Sequence, residues 1–308
     1  MSDQILLQGK LLGTEEFLIS GPVRDDDFTA RSLWITFVSE VLPRALLAEL
    51  ELAPLLLGSS GGGQFLAVLP GTVRDAAQEF LTTSAKQLAD STQHRVRLIW
   101  SFTENLGDWT VVRKRLNDRL DQARNAPLAE ERNFTPFAPA LPPVAVESAQ
   151  QLRQSASIGW SPELPGIVTT APAKRNWSLT KNLSLDNITV ARHAAPLDRG
   201  EGSANKKQLA HRAQGRPQWG VLRGDVDDFG IRLRRLQTIE EHVQLSMMYK
   251  QFFAGELEVL CSLPEFWRKV TILYSGGDDF AIWGAWDALV LLARELQRIF
   301  QRFTEENL

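Results

Sequence analysis

A chain of 308 residues can hold two domains of ordinary size, and its 44% apolar residues can fill their cores. A formal net charge of -3 excludes a global attraction to nucleic acid, so any contact with a polyanion must come from a local basic patch. The single cysteine, Cys261, excludes an intrachain disulfide and a cysteine-rich zinc site, and no apolar run is long enough to span a bilayer.

The opening MSDQILLQGK lacks the basic, apolar and small-residue order of a signal peptide, so the expected compartment is the cytoplasm, with no membrane contact. Residues 5–19 read as a strand pair or a strand and loop. A helix follows from about residue 29 or 32, with Leu33, Phe37, Val41, Ala45 and Leu46 on one face and Pro43 as a kink or a division. PLLLGSSGGGQFLAVLP, residues 54–70, reads as two apolar strands around a glycine turn at 61–63. A helix over 72–93 turns Val73, Ala77, Phe80, Leu81 and Leu88 inward, 95–102 is a strand, and 109–125 is an amphipathic helix. The order βαββαβ is the ferredoxin-like arrangement, which makes 1–128 a first domain.

Residues 129–217 are rich in Pro, Ser and Ala and read as a linker with short elements and an exposed loop. There Lys206, Lys207, Arg212 and Arg216 read first as a solvated basic face and second as phosphate contacts. Trp160 and Trp177 either stack on bases or pack the segment down. His94, His193, His211 and His242 show no metal-ligand spacing and read as core or surface side chains.

Residues 218–308 repeat the first pattern: a strand at 219–225, mostly helix over 231–260, a glycine hairpin over 270–283 and a helix over 286–303. In that last helix Leu289, Leu292, Leu296, Ile299 and Phe303 form one core stripe. SSGGGQFLAVL and YSGGDDFAIWG are matching hairpins, the mark of an internal repeat. The fold class is therefore α+β, two ferredoxin-like domains with antiparallel sheets and helices on one face, the second without its closing strand.

The chemistry sits on two strand tips of the second copy. VLRGDVDDFG ends in Asp225, Asp227 and Asp228, and YSGGDDF carries Asp278 and Asp279. One acidic tip is ordinarily a solvated turn. Two tips brought together without basic partners repel, and need a cation. Magnesium suits them, because it takes hard oxygen ligands from one or two carboxylates plus substrate phosphates, and manganese is its substitute. Gly276 and Gly277 turn the hairpin without side chains, which lets a nucleotide approach the backbone. The first copy has Gly63 and Gln64 where the second has the two acids, so it cannot hold a metal this way.

The glycine hairpin of the first copy, the helix ARSLWITFVSEVLPRALL, the approach AHRAQGRPQWGVLRGDVDDFG and YSGGDDF together resemble the large palm-polymerase subunit of type III CRISPR effector complexes. The resemblance covers most of the chain, weakly over 126–203. It implies two packed palm domains, of which the one bearing GGDD binds magnesium and ATP, and synthesis of cyclic oligoadenylates switched on by target RNA. It implies metal ligation by Asp225 with Asp278 or Asp279, with Asp227 and Asp228 as second choices. It also puts Val226, Phe229, Gly230, Ser275, Gly276 and Gly277 against the nucleotide, with Val226 offering a carbonyl. Other effector subunits, guide RNA and target RNA are the implied partners. No His-Asp pair is present, so the DNA cleavage of many family members is not expected of this chain. Two rivals stand beside this reading: a GGDEF-type cyclic dinucleotide synthase, because GGDDF differs from that signature by one carboxylate, and a non-catalytic scaffold subunit. The absent closing strand leads to the expectation that the chain alone is nearly inactive and that its last helix leaves part of its stripe exposed.

Overall fold

The computed structural model describes residues 3–20, 24–126, 144, 146–163, 167–182 and 184–307. The first half carries strands β1 (Gln4–Leu12), β2 (Leu57–Gly61), β3 (Gln64–Pro70) and β4 (Arg97–Glu104), with helices α1 (Thr14–Leu18), α2 (Asp25–Glu49), α3 (Arg74–Ser91) and α4 (Trp109–Asn125). All pairings are antiparallel in the order β2-β3-β1-β4, the order of a ferredoxin-like sheet. Within residues 5–19 only one strand forms; Gly13, at φ 77°, breaks it and the chain turns into α1. α2 runs through Pro43 as one helix, contrary to the expected division. It is buried on nearly every side, so packing outweighs the one hydrogen bond that proline cannot donate.

The segment that reads as a linker is more than a connector. Its described part forms helix α5 (Ala149–Gln154), strands β5 (Ser157–Trp160), β6 (Arg175–Thr180) and β7 (Ile188–Thr189), and helix α6 (Lys206–His211). Leu152, Ile158, Ile167 and Ile188 are fully buried in the same apolar cluster as α2. Trp160 is buried against Phe80, with ring centroids 5.4 Å apart, and Trp177 packs on the same cluster, so both pack the segment down. The stretch 127–143 lies outside the described residues.

The second half holds β8 (Trp219–Asp225), β9 (Val270–Gly276) and β10 (Asp279–Ala285), antiparallel in the order β8-β10-β9. Its helices are α7 (Phe229–Arg235), α8 (Ile239–Lys250), a π-helical turn at Gln251–Glu256, α9 (Leu257–Cys261) and α10 (Trp286–Asn307). The order βαββα follows the first half as far as it goes. The stripe on α10 is covered in its first half, where Leu289, Leu292 and Leu296 are buried, and only partly towards its end, where Ile299 and Phe303 are half-buried and Phe300 lies 4.9 Å from Phe252, centroid to centroid. The aromatic run of the π-helical turn packs on that end, with Phe252 against Phe300 and Phe303.

The repeat extends to a packing detail. In the first sheet Gly9 faces Phe65 across β1 and β3; in the second Gly224 faces Phe280 across β8 and β10. A Cβ on either glycine would lie 2.2 Å from the facing ring, so each ring rests on bare backbone. Gly224→Ala should therefore cost about 1–3 kcal/mol through overpacking. Chemical denaturation measures this, and an unchanged midpoint would count against the close packing.

The halves meet along α2, which packs on β9, where Ser32 Oγ donates to the Leu273 carbonyl at 2.6 Å.

Candidate active site

The register of the second sheet decides the geometry of the acids. Asp225 is the last residue of β8, Asp279 the first of β10, and they stand directly opposite each other. Asp278 sits in the turn just before, and its carbonyl accepts the Val226 N–H at 3.0 Å, tying the two tips together. Asp227 and Asp228 lie beyond the strand end and are exposed, and Asp228, at φ 58°, turns the chain into α7. They are thus not aligned with Asp225 by strand alternation. In the first sheet the pair equivalent to Asp225 and Asp279, one residue beyond the Gly–Phe pair, is Lys10 and Gln64.

Burial and mutual repulsion raise the carboxyls of the tip. Asp279 is pushed up by desolvation, by Asp278 and by Asp225, against the pull of Arg223 and a hydrogen bond with Tyr274. Asp278 is raised by desolvation and by Asp225. Ionised at neutral pH, both groups cost the folded state stability relative to the unfolded chain, and a bound cation would offset that cost. Among the described residues, however, no three His, Cys, Asp or Glu side chains converge as a metal cage. The set of Asp225, Asp278 and Asp279 is thus not gathered on one point, in keeping with the opposite directions that neighbouring side chains take along a strand. What the residues present fit is a divalent ion held by one or two carboxylates and completed by phosphate oxygens.

Two cavities flank the hairpin, one of about 870 Å³ and one of about 580 Å³. The smaller is lined by Asp225, Asp278, Asp279, Phe229 and Gly230. The larger is lined by Asp279, Arg223, Tyr274, Trp219 and Trp283. Ser275 lines the larger one too, but its hydroxyl donates to the Phe253 carbonyl at 2.6 Å, which commits it to the fold. The Val226 carbonyl likewise accepts the Phe229 N–H at 3.3 Å, which takes one of its two lone pairs.

Between the cavities the two glycine turns touch. A Cβ on Gly276 would come within 3.0 Å of the Gly62 nitrogen, and one on Gly62 within 3.6 Å of the Gly276 oxygen. Behind this contact lies a cluster that reading the sequence did not single out. Glu40 of α2 accepts from Arg44, from Ser60 of β2 and from Lys250 of α8. A glutamate inside an apolar helix was its one visible signal. Lys206, read as part of a solvated basic face, instead pairs with Asp25 at 2.8 Å and sits 4.7 Å from the Trp283 ring centroid and 5.0 Å from that of Trp219.

Comparison with known proteins bears on the fold that carries these residues. Residues 218–308 match the model of the Cas10/Cmr2 second palm domain. A curated relative, the CRISPR system single-strand-specific deoxyribonuclease Cas10/Csm1 (subtype III-A) of Enterococcus italicus, is 32% identical over 103 residues, which is 32% of this chain and 13% of the relative. Among solved structures, a Csm1–Csm4 cassette in complex with cA4 superposes with a TM-score of 0.80 at 18% identity, covering 99% of this chain and 48% of that one. A Csm1–Csm4 cassette in complex with one ATP gives 0.78 at 18%, covering 99% and 49%. The fold of the whole chain is thus that of about half of a Csm1 chain.

Proposed function

We propose, from the premise that residues 218–308 form a second palm domain of the Cas10/Cmr2 type, that this chain makes cyclic oligoadenylates from ATP within a type III CRISPR effector complex when target RNA is recognised. The observation that carries the proposal is the cross-strand pair Asp225 and Asp279 beside a side-chain-free turn. Solved relatives of the same fold bound cA4 or ATP, which supports the choice of substrate and product. In each step a 3′-hydroxyl attacks an α-phosphate, an O–P bond forms, and the bond to the departing pyrophosphate breaks. Magnesium or manganese, when bound, would neutralise charge on the attacking and leaving oxygens.

The chain's own residues supply the frame. Asp225 and Asp279 would hold the ion, Asp278 would add charge from the turn, and Gly276 and Gly277 leave the backbone open to the triphosphate. Phe229 and Gly230 wall the smaller cavity on the nucleotide side. Val226 and Ser275 act through the backbone and through packing. We assign 1–128 to a degenerate first palm, 129–217 to the covering segment and 218–308 to the acid-bearing palm. The partners proposed are other effector subunits, guide RNA and target RNA, in the cytoplasm.

Magnesium titration followed by thermal unfolding tests the site. The wild-type chain should be stabilised by the ion, and Asp278→Asn/Asp279→Asn should lose the effect. Stabilisation that survives the double substitution would sink the assignment. In the assembled complex, conversion of GTP alone into a cyclic dinucleotide without RNA would replace this reading by the GGDEF one.

A further inference from the structure

The buried charges around Glu40 do not balance. Its side chain is 3% exposed, that of Arg44 9% and that of Lys250 13%, so one carboxylate serves two enclosed cations. Glu40 Oε2 takes Arg44 Nη1 at 2.8 Å and Lys250 Nζ at 2.5 Å. Arg44 Nε is buried with no acceptor, so the cluster is short of acceptors as well as of negative charge. Burial lowers the Lys250 ammonium below its ordinary value; Glu40 pulls it back up and Arg44 pushes it further down. Among the described residues, Lys250 makes no ion pair with Asp278 or Asp279.

The location gives this imbalance a use. Lys250 lines both cavities where they meet at Gly61, Gly62, Gly276 and Gly277. Its ammonium donates to Ser60 Oγ at 2.9 Å and more weakly to the Ser60 carbonyl at 3.3 Å. That longer contact is the one an incoming oxygen can displace with least loss. An ammonium beside a bare glycine turn, in a cluster one negative charge short, is a built site for an oxyanion.

We infer that Lys250 binds the phosphate chain of a nucleotide lying over the two glycine turns, with Glu40 and Ser60 holding its ammonium towards them. The inference rests on the nucleotide reading above and names a residue that brings α8, the hairpin of the first half and the ligand together.

Calorimetry with magnesium present tests it on the full chain, using ATP, inorganic tripolyphosphate and adenosine as probes. Lys250→Met should weaken ATP and tripolyphosphate about 10- to 100-fold, the loss of one charge-assisted hydrogen bond, and leave adenosine unchanged. Lys250→Arg should recover part of the loss. Lys250→Met leaves Glu40 paired with Arg44, and Lys250→Gln, which keeps a donor for Ser60, should show the same phosphate-selective loss and covers the case in which the methionine variant fails to fold. Unchanged ATP binding, or an equal loss for adenosine, would overturn the inference and make Lys250 a strut between the halves. A wild-type chain that binds none of the three probes would overturn the nucleotide reading and this inference with it.

Discussion

Asp225→Asn, assayed in a complex that converts ATP into oligoadenylates, should lower the rate about a thousandfold or more. The substitution keeps the size of the side chain and leaves the backbone pairing with Asp279 untouched, so the loss is one of charge. Losing a carboxylate that holds a catalytic ion removes several kcal/mol of transition-state stabilisation, at about 1.4 kcal/mol per factor of ten. Gln64→Ala, at the matching position of the first sheet, should change the rate little, because Lys10 and Gln64 offer no carboxylate pair. Circular dichroism would verify that both variants fold. If Asp225→Asn kept more than about a tenth of the activity, the cross-strand pair would not be the ion's seat.

The largest effect on stability is expected at Glu40. Glu40→Gln leaves the Arg44 and Lys250 cations enclosed without their shared anion, a change worth about 3–5 kcal/mol when one partner of a buried pair is removed. Removing one cation as well, in Glu40→Gln/Lys250→Met, should cost less than the single substitution, because only Arg44 then stays enclosed without an anion. Burial alone would raise the Glu40 carboxyl, yet Lys250, Arg44 and Ser60 bring it below the usual value. A depressed folded-state value contributes stability that is present above the unfolded carboxylate value and is lost as pH falls through the folded one. The gap between wild type and Glu40→Gln should accordingly narrow on acidification. Urea unfolding at neutral and acidic pH reads both effects; a double variant no more stable than the single one would show that the cluster is not coupled.

The acids and hairpins were legible because their signals are local. A strand period ending in aspartates, a glycine pair between two apolar runs and a helix over Trp109–Asn125 each occupy a few turns of chain, and the structure places them there. The Glu40–Lys250 contact joins residues 210 apart, and no short window contains both. The segment around β5 to β7 failed for a different reason. Its buried side chains, such as Ile158 and Ile188, are spaced by polar and proline-rich stretches, so no period betrays the face they share with α2. Pro43 reads as a kink or a division, and of these the division does not occur, because α2 is enclosed on almost every side and continues through it as one helix. On α10 the stripe itself was read correctly, while its cover, the Phe252 and Phe253 of a π-helical turn, carried no recognisable pattern.

The tip-to-tip contact of the glycine turns has a further consequence for how such a duplicated molecule can change. When a gene segment doubles, the copy without the working acids is ordinarily free to drift. Here a side chain gained at Gly62, where φ is 57°, would be strained in itself and would stand in contact with the Gly276 backbone, beside the acids. Substitutions in the inert copy are therefore screened by their effect on the acid-bearing one. The turn of the first half is a mould against which the second is cast, and its freedom to mutate ends where the other's alignment begins.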